Sequence, residues 1–121
     1  MNIDSALAEA MAIDGALGVA LVDYESGMSL GFAGGGQALD LEVAGAANTE
    51  VVRAKLRALA ALSLDETIED ILITLGGQYH LIRPLASGRG PFFLYLALDR
   101  SRGNLALARH GLKRIEAELA V

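Results

Sequence analysis

Few side chains in this sequence combine the type and the spacing that catalysis or metal binding requires. The two histidines, His80 and His110, have no second ligand at His-x-x-x-His or similar spacing, so a zinc site is not expected. No serine lies in a Gly-x-Ser-x-Gly elbow, and there is no cysteine to act as a nucleophile. Glu69 and Asp70 are adjacent in a predicted strand, where successive side chains point to opposite faces, so they cannot share a substrate. We therefore predict a protein that is not an enzyme and has no catalytic residue, metal or cofactor.

The glycine-rich segment 31–36 is the one candidate for a phosphate-binding loop. Such a loop requires a lysine and a hydroxyl residue at the start of the following helix, with Mg²⁺ ligands beyond it. Here Gly36 is followed by Gln37, Ala38 and Leu39. We interpret the segment as a flexible connector, and we do not expect the chain to hydrolyse nucleotides by itself.

The composition predicts a small domain with more apolar surface than one core needs. The 121 residues are expected to form a single domain over positions 1–121, with 53% hydrophobic residues, 5% aromatic residues and a mean hydropathy of +0.40. A small domain with this apolar excess tends to bury the remainder against a partner, which favours an oligomer. The alternative is a sheet covered on both faces, which also consumes apolar residues.

The net charge of −5 is distributed unevenly along the chain. Residues 1–52 contain eight carboxylates and no Lys or Arg, while residues 53–121 contain ten basic and seven acidic side chains. A nucleic-acid partner is not expected, because the total charge is acidic and aromatic residues are not interleaved with the basic ones. We predict charge matching within or between subunits. With no signal-peptide pattern and no apolar run of membrane-spanning length, no membrane insertion is expected and the predicted location is cytoplasmic.

The hydrophobic pattern predicts eight elements. The first is a short helix with body 6–13, capped by Asp4 or Ser5, with Gly15 just beyond its end. A hairpin of strands 17–24 and 28–33 follows, and its loop of three residues ending in Gly27 is typical of a type I turn followed by a left-handed residue. The long helix 40–62 is capped by Asp40. The last helix, capped by Ser101, places one apolar stripe on its face: Leu105, Ala108, Leu112, Ile115 and Leu119.

Between the last two helices, residues 68–98 predict a three-stranded meander around which the rest of the chain is organised. The pair Gly76-Gly77 favours a type I′ turn, in which both central residues have positive φ. That turn places Leu75 opposite Gln78 and Asp70 opposite Arg83, an opposite-charge pair across the strands. The elements together predict an α+β sandwich with five strands and helices able to cover both faces.

The long helix has three distinct arcs when its residues are placed at about 100° intervals. Large apolar side chains and one glycine form the first arc, which indicates contact with a sheet: Leu41, Gly45, Val52, Leu56 and Leu59. Small residues form the second, which would allow another helix to approach closely: Ala47, Ala54 and Ala61. The third is polar: Glu42, Glu50, Arg53 and Arg57. Alanine is also simply a good helix former, so the second arc has a plain alternative explanation.

Three segments resemble the Roadblock/dynein light chain family, in particular its bacterial members. They are MAIDGALGVALVDYESG at 11–27, NTEVVRAKLR at 48–57 and IEDILITLGGQYHLIRPL at 68–85. The likeness covers essentially the whole chain in the same order, and the matching motifs are structural rather than catalytic.

The resemblance implies a profilin-like α-β-β-α-β-β-β-α fold with one five-stranded antiparallel sheet in the order 2-1-5-4-3. It places the long helix on one face and the terminal helices on the other. It also implies a homodimer in which the third strands pair and the long helices lie side by side. The expected interface residues are Ile71, Leu72, Ile73 and Leu75 with Ala47, Ala54 and Ala61.

The function implied by the resemblance is that of a non-catalytic regulatory platform in bacterial signalling or polarity. Several family members bind small Ras-like GTPases, and some activate GTP hydrolysis. A sensor kinase or adaptor from the same operon is a further expected partner. We hypothesise that the partner-binding residues are Glu42, Asn48, Glu50, Arg53 and Arg57. The alternative is a scaffold that assembles a signalling or motility complex without regulating a GTPase.

Overall fold

The computed structural model describes residues 1–121 and contains three helices and five strands. In chain order they are α1 (Ile3–Met11), β1 (Ala16–Asp23), β2 (Ser29–Gly34), α2 (Leu41–Ala61), β3 (Ile71–Thr74), β4 (Gln78–Pro84), β5 (Phe92–Asp99) and α3 (Leu105–Glu118). The predicted element order is therefore confirmed. No helix is both long enough and apolar enough to cross a membrane.

The five strands form one antiparallel sheet in the order β2-β1-β5-β4-β3, which confirms the fold class. The central strand β5 and its neighbour β1 carry continuous runs of buried residues because the sheet is covered on both faces. β2 and β3 form its two edges.

Each face of the sheet has its own core. On one side α1 and α3 pack over a cluster that includes Leu21, Leu96 and Ile115. On the other side α2 covers a smaller cluster built around Val52, Phe93 and Tyr95. The predicted stripe of the last helix is confirmed, since Ala108, Leu112, Ile115 and Leu119 are buried and Leu105 packs against the same cluster.

Two of the predicted helix caps are wrong. α1 begins earlier than expected, and its N-cap is Asn2, whose side chain accepts a hydrogen bond from the Ser5 N–H at 2.8 Å. α3 is capped by Asn104 rather than by Ser101, whose N–H and hydroxyl both bond Asp99 instead. The cap of α2 is Asp40, as predicted.

The register of the β3–β4 hairpin is as predicted, but its turn and its ion pair are not. The Leu75 N–H donates to the Gln78 carbonyl at 2.8 Å, which sets these two residues opposite each other. Neither Gly76 nor Gly77 has a positive φ, so the turn is not type I′. Asp70 lies before the start of the strand and bonds Arg109, while Arg83 bonds Glu116, so no Asp70–Arg83 pair forms. β3 is also three residues shorter at its start than the predicted strand.

Candidate functional site

The exposed edge of β3 is the first part of the candidate site. Because Leu75 and Gln78 form a hydrogen-bonded pair, the alternation of an antiparallel ladder points the N–H and C=O of Leu72 and Thr74 away from β4. Ile71 and Ile73 pack on the α2 side of the sheet, and Leu72 packs on the opposite side. The edge therefore presents free backbone groups between partly buried apolar side chains.

Both ends of β3 are held in place by charged side chains from other elements. Upstream, Asp70 accepts two hydrogen bonds from the Arg109 guanidinium, each 3.0 Å long. Downstream, the Arg100 guanidinium donates to the Leu75 carbonyl at 2.8 Å and stacks 4.8 Å from the centre of the Tyr79 ring. A short edge strand is kept extended by these contacts although its own ladder covers only four residues.

α2 is the second part of the candidate site, and only its first half is well covered. Its buried residues are Leu41, Gly45, Asn48, Thr49 and Val52, all in the first part of the helix. Beyond Val52 the apolar arc emerges into solvent, and Leu56 is 38% exposed. Leu62, directly after the helix, is 63% exposed. The predicted sheet-facing arc is thus confirmed for the first half alone.

The other two arcs of α2 face solvent. The small residues Ala47, Ala54 and Ala61 are exposed on the side of the helix opposite its buried residues. The polar residues Glu42, Glu50, Arg53 and Arg57 are also exposed, and the Glu50 and Arg53 side chains approach to 3.7 Å. Such an exposed pair contributes little to stability, so both groups remain available to a partner.

Asn48 does not lie with the other residues predicted to bind a partner. Its side chain is 9% exposed, and its Nδ2 donates to the Ala44 carbonyl at 2.8 Å. It occupies the sheet-facing side of α2 beside Thr49, whose hydroxyl donates to the Gly45 carbonyl at 2.9 Å. Both polar side chains are satisfied within their own helix.

An open groove of about 470 Å³ lies between α2 and the segment leading into β3. The helix contributes Val51, Lys55 and Leu59, and the strand side contributes Ile68 and Ile71. The second half of α2 therefore stands away from β3, and the two elements form the walls of one apolar groove.

The α2 face of the sheet also contains a polar pair. His80 Nδ1 and the Tyr95 hydroxyl are 3.2 Å apart, and His80 Nε2 lies 2.7 Å from Gln78 Oε1. The two rings meet edge to face, with centroids 5.3 Å apart. Burial lowers the pKa of His80 and raises the pKa of Tyr95 to about 12. Both groups are therefore held neutral, which suits a structural role.

The residues that hold β3 were not identified from the sequence. Asp70 and Arg109 are far apart in the chain and meet because α3 packs against β4, the neighbour of β3 in the sheet. Arg100 follows β5, where arginines are usually plain surface charges, and only the strand order brings it to the β3–β4 turn. The one available signal was the surplus of basic residues after position 83, which the structure pairs with nearby acids.

The arrangement brings several recognition surfaces together. No group of three or more His, Cys, Asp or Glu side chains is placed to hold a metal ion. What the chain offers is a free strand edge, an apolar groove and a half-covered helix, all on one side of the sheet. These features are suited to binding another polypeptide.

Comparisons with known proteins agree on the fold. No protein-family model matches the chain, and no curated protein matches its sequence. A Roadblock/LC7 domain from Streptomyces avermitilis superimposes with a TM-score of 0.82 at 9% identity, over 98% of this chain and 94% of that chain. Myxococcus xanthus MglB gives 0.78 at 20% identity, over 96% and 92%. The gliding protein MglB from Thermus thermophilus gives 0.69 at 19% identity, over 95% and 88%.

The structural matches extend over nearly the whole length of both chains, so they concern the complete element order and not a shared hairpin. The strand order β2-β1-β5-β4-β3 is the one that the sequence resemblance implied. This chain has the fold of the Roadblock/LC7 domains.

Proposed function

We propose that this chain is a homodimeric, non-catalytic platform that binds a small Ras-like GTPase and regulates its GTPase cycle in the cytoplasm. The observation that carries the proposal is the free apolar edge of β3 beside the half-covered helix α2. An unpaired apolar edge is an aggregation hazard on a monomer. Pairing β3 with its counterpart would join two sheets and bring the two α2 helices close together.

Small residues on the outer side of α2 support such a helix pair. Ala47, Ala54 and Ala61 recur at seven-residue intervals and are all exposed. Side chains of this size allow two helix axes to approach closely. Burying the exposed Leu62 and Val43 nearby would add apolar area to the same interface.

The GTPase partner is supported by the family resemblance together with the shared fold. The exposed residues Glu42, Glu50, Arg53 and Arg57 would form the docking surface of the paired helices. An arginine supplied in trans to a GTPase can accelerate hydrolysis by about 10³-fold or more. Arg53 and Arg57 are the candidates for that role.

Dimerisation through β3 can be tested by removing one outward amide. Thr74 is exposed, and its N–H points away from β4, so Thr74→Pro removes a donor that the monomer does not use. We expect Thr74→Pro to give a folded monomer, measured by light scattering during size-exclusion chromatography. Thr74→Val keeps the amide and the strand and should remain a dimer.

The outcome that contradicts this interface is a dimer of unchanged mass and unchanged dissociation constant in Thr74→Pro. Circular dichroism on the same samples establishes that the variant is folded. A wild-type protein that is monomeric at micromolar concentration would also exclude the proposed platform.

GTPase regulation can be tested with the small GTPase encoded nearest to the gene. We expect complex formation and a change in GTP turnover on adding the wild-type protein. The double variant Arg53→Ala, Arg57→Ala should weaken binding or stimulation by at least about tenfold, which corresponds to about 1.4 kcal/mol. Arg114→Ala is the matched control, because Arg114 is exposed on α3, in the opposite layer.

Two results would reject regulation. If wild type neither binds the GTPase nor alters its turnover, the platform has another partner. If it instead binds a sensor kinase or adaptor from the same operon, the chain is a scaffold without a role in the GTPase cycle.

A further inference from the structure

The sheet edge farthest from β3 carries a second exposed apolar surface. β2 is the other outer strand, and its six residues make it longer than β3. Three large apolar side chains are exposed in it or directly before it: Met28 at 70%, Leu30 at 42% and Phe32 at 49%. A long apolar edge of this kind is normally covered by a partner or protected against pairing.

The backbone of β2 is able to accept another strand. The Gly35 N–H donates to the Leu17 carbonyl at 2.8 Å, which makes these residues a hydrogen-bonded pair. Between Gly35 and Gly31 the hydrogen-bonded pairs alternate, so Ala33 and Gly31 also face β1, and the register shifts at Leu30. The N–H and C=O of Phe32 therefore point outward, away from the sheet.

The side chains of β2 form a groove on the α2 face. Phe32 lies opposite Ala20, which belongs to the core beneath α2, so its ring is on that face. An open groove of about 470 Å³ runs along residues 27–32 and reaches Glu42 in the first turn of α2. The groove therefore combines an apolar strip with one carboxylate at its wall.

Glu42 is the one charged side chain that lines the β2 groove, and it determines which strand would fit. Residues 1–52 contain eight carboxylates and no Lys or Arg. A second copy pairing β2 with β2 would bring two such grooves together, each with a carboxylate and neither with a Lys or Arg. Only every second side chain of an added strand faces the α2 side, so the segment that fits carries apolar residues and one basic residue at alternate positions on that face.

We propose that the β2 edge binds an extended segment of another protein as a sixth strand of the sheet, with apolar side chains and one basic side chain facing the α2 side. The outward backbone groups of Phe32 pair with the segment, apolar side chains cover Phe32 and Leu30, and a lysine or arginine reaches Glu42. This site goes beyond the proposed GTPase platform. It lies at the opposite edge of the sheet and does not require β3 to pair.

The test uses full-length protein and a short synthetic peptide labelled with fluorescein, in which every second residue is in turn valine, valine and lysine and the residues between them are threonine. We expect saturable binding by fluorescence anisotropy, and slower hydrogen exchange of the Phe32 amide in the complex, because that amide becomes hydrogen-bonded. A peptide with glutamate in place of that lysine should bind severalfold more weakly, as expected for repulsion from Glu42.

Variants separate the backbone contact from the side-chain contacts. Phe32→Ala and Phe32→Pro both remove the ring, but only proline removes the outward amide, so Phe32→Pro should bind about fivefold more weakly than Phe32→Ala. Glu42→Gln should weaken binding severalfold at low salt, and the difference should shrink at high salt. Glu50→Gln, an exposed carboxylate of α2 outside the groove, is the matched control.

Each failure has a distinct meaning. No saturable binding up to about 1 mM, a Kd beyond any useful recognition, overturns the proposal. Equal binding by Phe32→Pro and Phe32→Ala also overturns it, because the peptide is then held by charge alone. Self-association that disappears in Phe32→Pro would show a second copy at this edge instead. Because the monomeric Thr74→Pro variant should still bind the peptide, failure of the GTPase platform is distinguishable from failure here.

Discussion

At the scale of single residues, the most consequential group is the buried carboxylate of Glu116. It is 7% exposed and lies 3.3 Å from Arg83 Nε and 2.6 Å from Arg89 Nη1. Arg89 also donates to the backbone carbonyls of Glu116 and Leu119. The cluster joins β4, the β4–β5 loop and the end of α3. Burying these charges is tolerable because each has a partner.

Removing that carboxylate should be costly. In Glu116→Gln, Arg83 remains buried without an opposite charge, so we expect a loss of about 3 kcal/mol in the free energy of unfolding. Urea denaturation monitored by circular dichroism measures it. Glu118→Gln changes an exposed residue two positions away and should alter stability by less than about 0.5 kcal/mol. Equal effects of the two substitutions would mean that the cluster does not hold the fold.

The His80–Tyr95 pair predicts how stability changes with pH. Burial lowers the pKa of His80 in the folded state, so the unfolded chain binds the proton more readily. The contribution of His80 to the free energy of unfolding is therefore fully present above the ordinary histidine pKa of about 6.5. It is lost as the pH drops from there towards the lowered value. For Tyr95, whose pKa is raised to about 12, stability falls as the pH rises above about 10.

Urea midpoints measured between pH 5 and pH 8 test the histidine part of this prediction. His80→Gln should reduce the slope of stability against pH in this range. His110→Gln, at an exposed position of α3, should leave it unchanged. An unchanged slope in His80→Gln would show that another group causes the loss of stability at low pH.

At the scale of elements, the β3–β4 turn shows the limit of local sequence rules. Two consecutive glycines favour a type I′ turn, yet neither Gly76 nor Gly77 has a positive φ. The Arg100 side chain and backbone hold the turn from outside, through Leu75 and Gly77. A contact between distant residues thus sets a conformation that the local pattern assigns differently.

This turn geometry can be tested with alanine. A Cβ at Gly76 or Gly77 would meet no heavy atom within 4 Å, so each Gly→Ala should be neutral or stabilise the fold by up to about 1 kcal/mol. Gly27→Ala is the matched contrast, because Gly27 has equally open surroundings but a φ of +80°. It should cost about 1 kcal/mol. A loss at Gly76 and Gly77 as large as that at Gly27 would favour the type I′ turn.

The helix starts were predictable only where one polar residue stood alone. Asp40 is the sole capping candidate directly before its helix, and it is the N-cap. Residues 2–5 contain three candidates, Asn2, Asp4 and Ser5. Ile3 decides between them, because it packs against the core below α1 and is therefore part of the helix. The helix consequently begins at Ile3, with Asn2 as its N-cap.

At the scale of the whole molecule, periodicity was sufficient to predict the element order and the two covered faces of the sheet. Periodicity was not sufficient to predict the strand order, because no local pattern indicates that β1 pairs with β5. The expected strand order came from the family resemblance. The groove beside α2 could not be predicted from hydrophobic periodicity either. Leu56 and Leu59 fit the sheet-facing arc, yet the helix diverges from the sheet before reaching them.

The divergence of α2 from the sheet has a consequence for motion. Helices in proteins are stabilised chiefly by packing against other elements. The second half of α2 has little such packing, since none of its residues beyond Val52 is buried. Amides of residues 54–61 should therefore exchange with deuterium faster than those of residues 45–52, by local opening. Uniform exchange along α2 would contradict this.

A partner that covers the second half of α2 would then do two things at once. It would bind the surface, and it would suppress the opening of the helix beneath it. Part of the binding free energy would be used to hold that segment closed. A substitution that stabilises the closed helix end should therefore tighten binding, such as Ser63→Gly, which removes the strain of a non-glycine residue at a φ of +54°. The least covered part of α2 in the isolated chain would thus determine how tightly the partner binds.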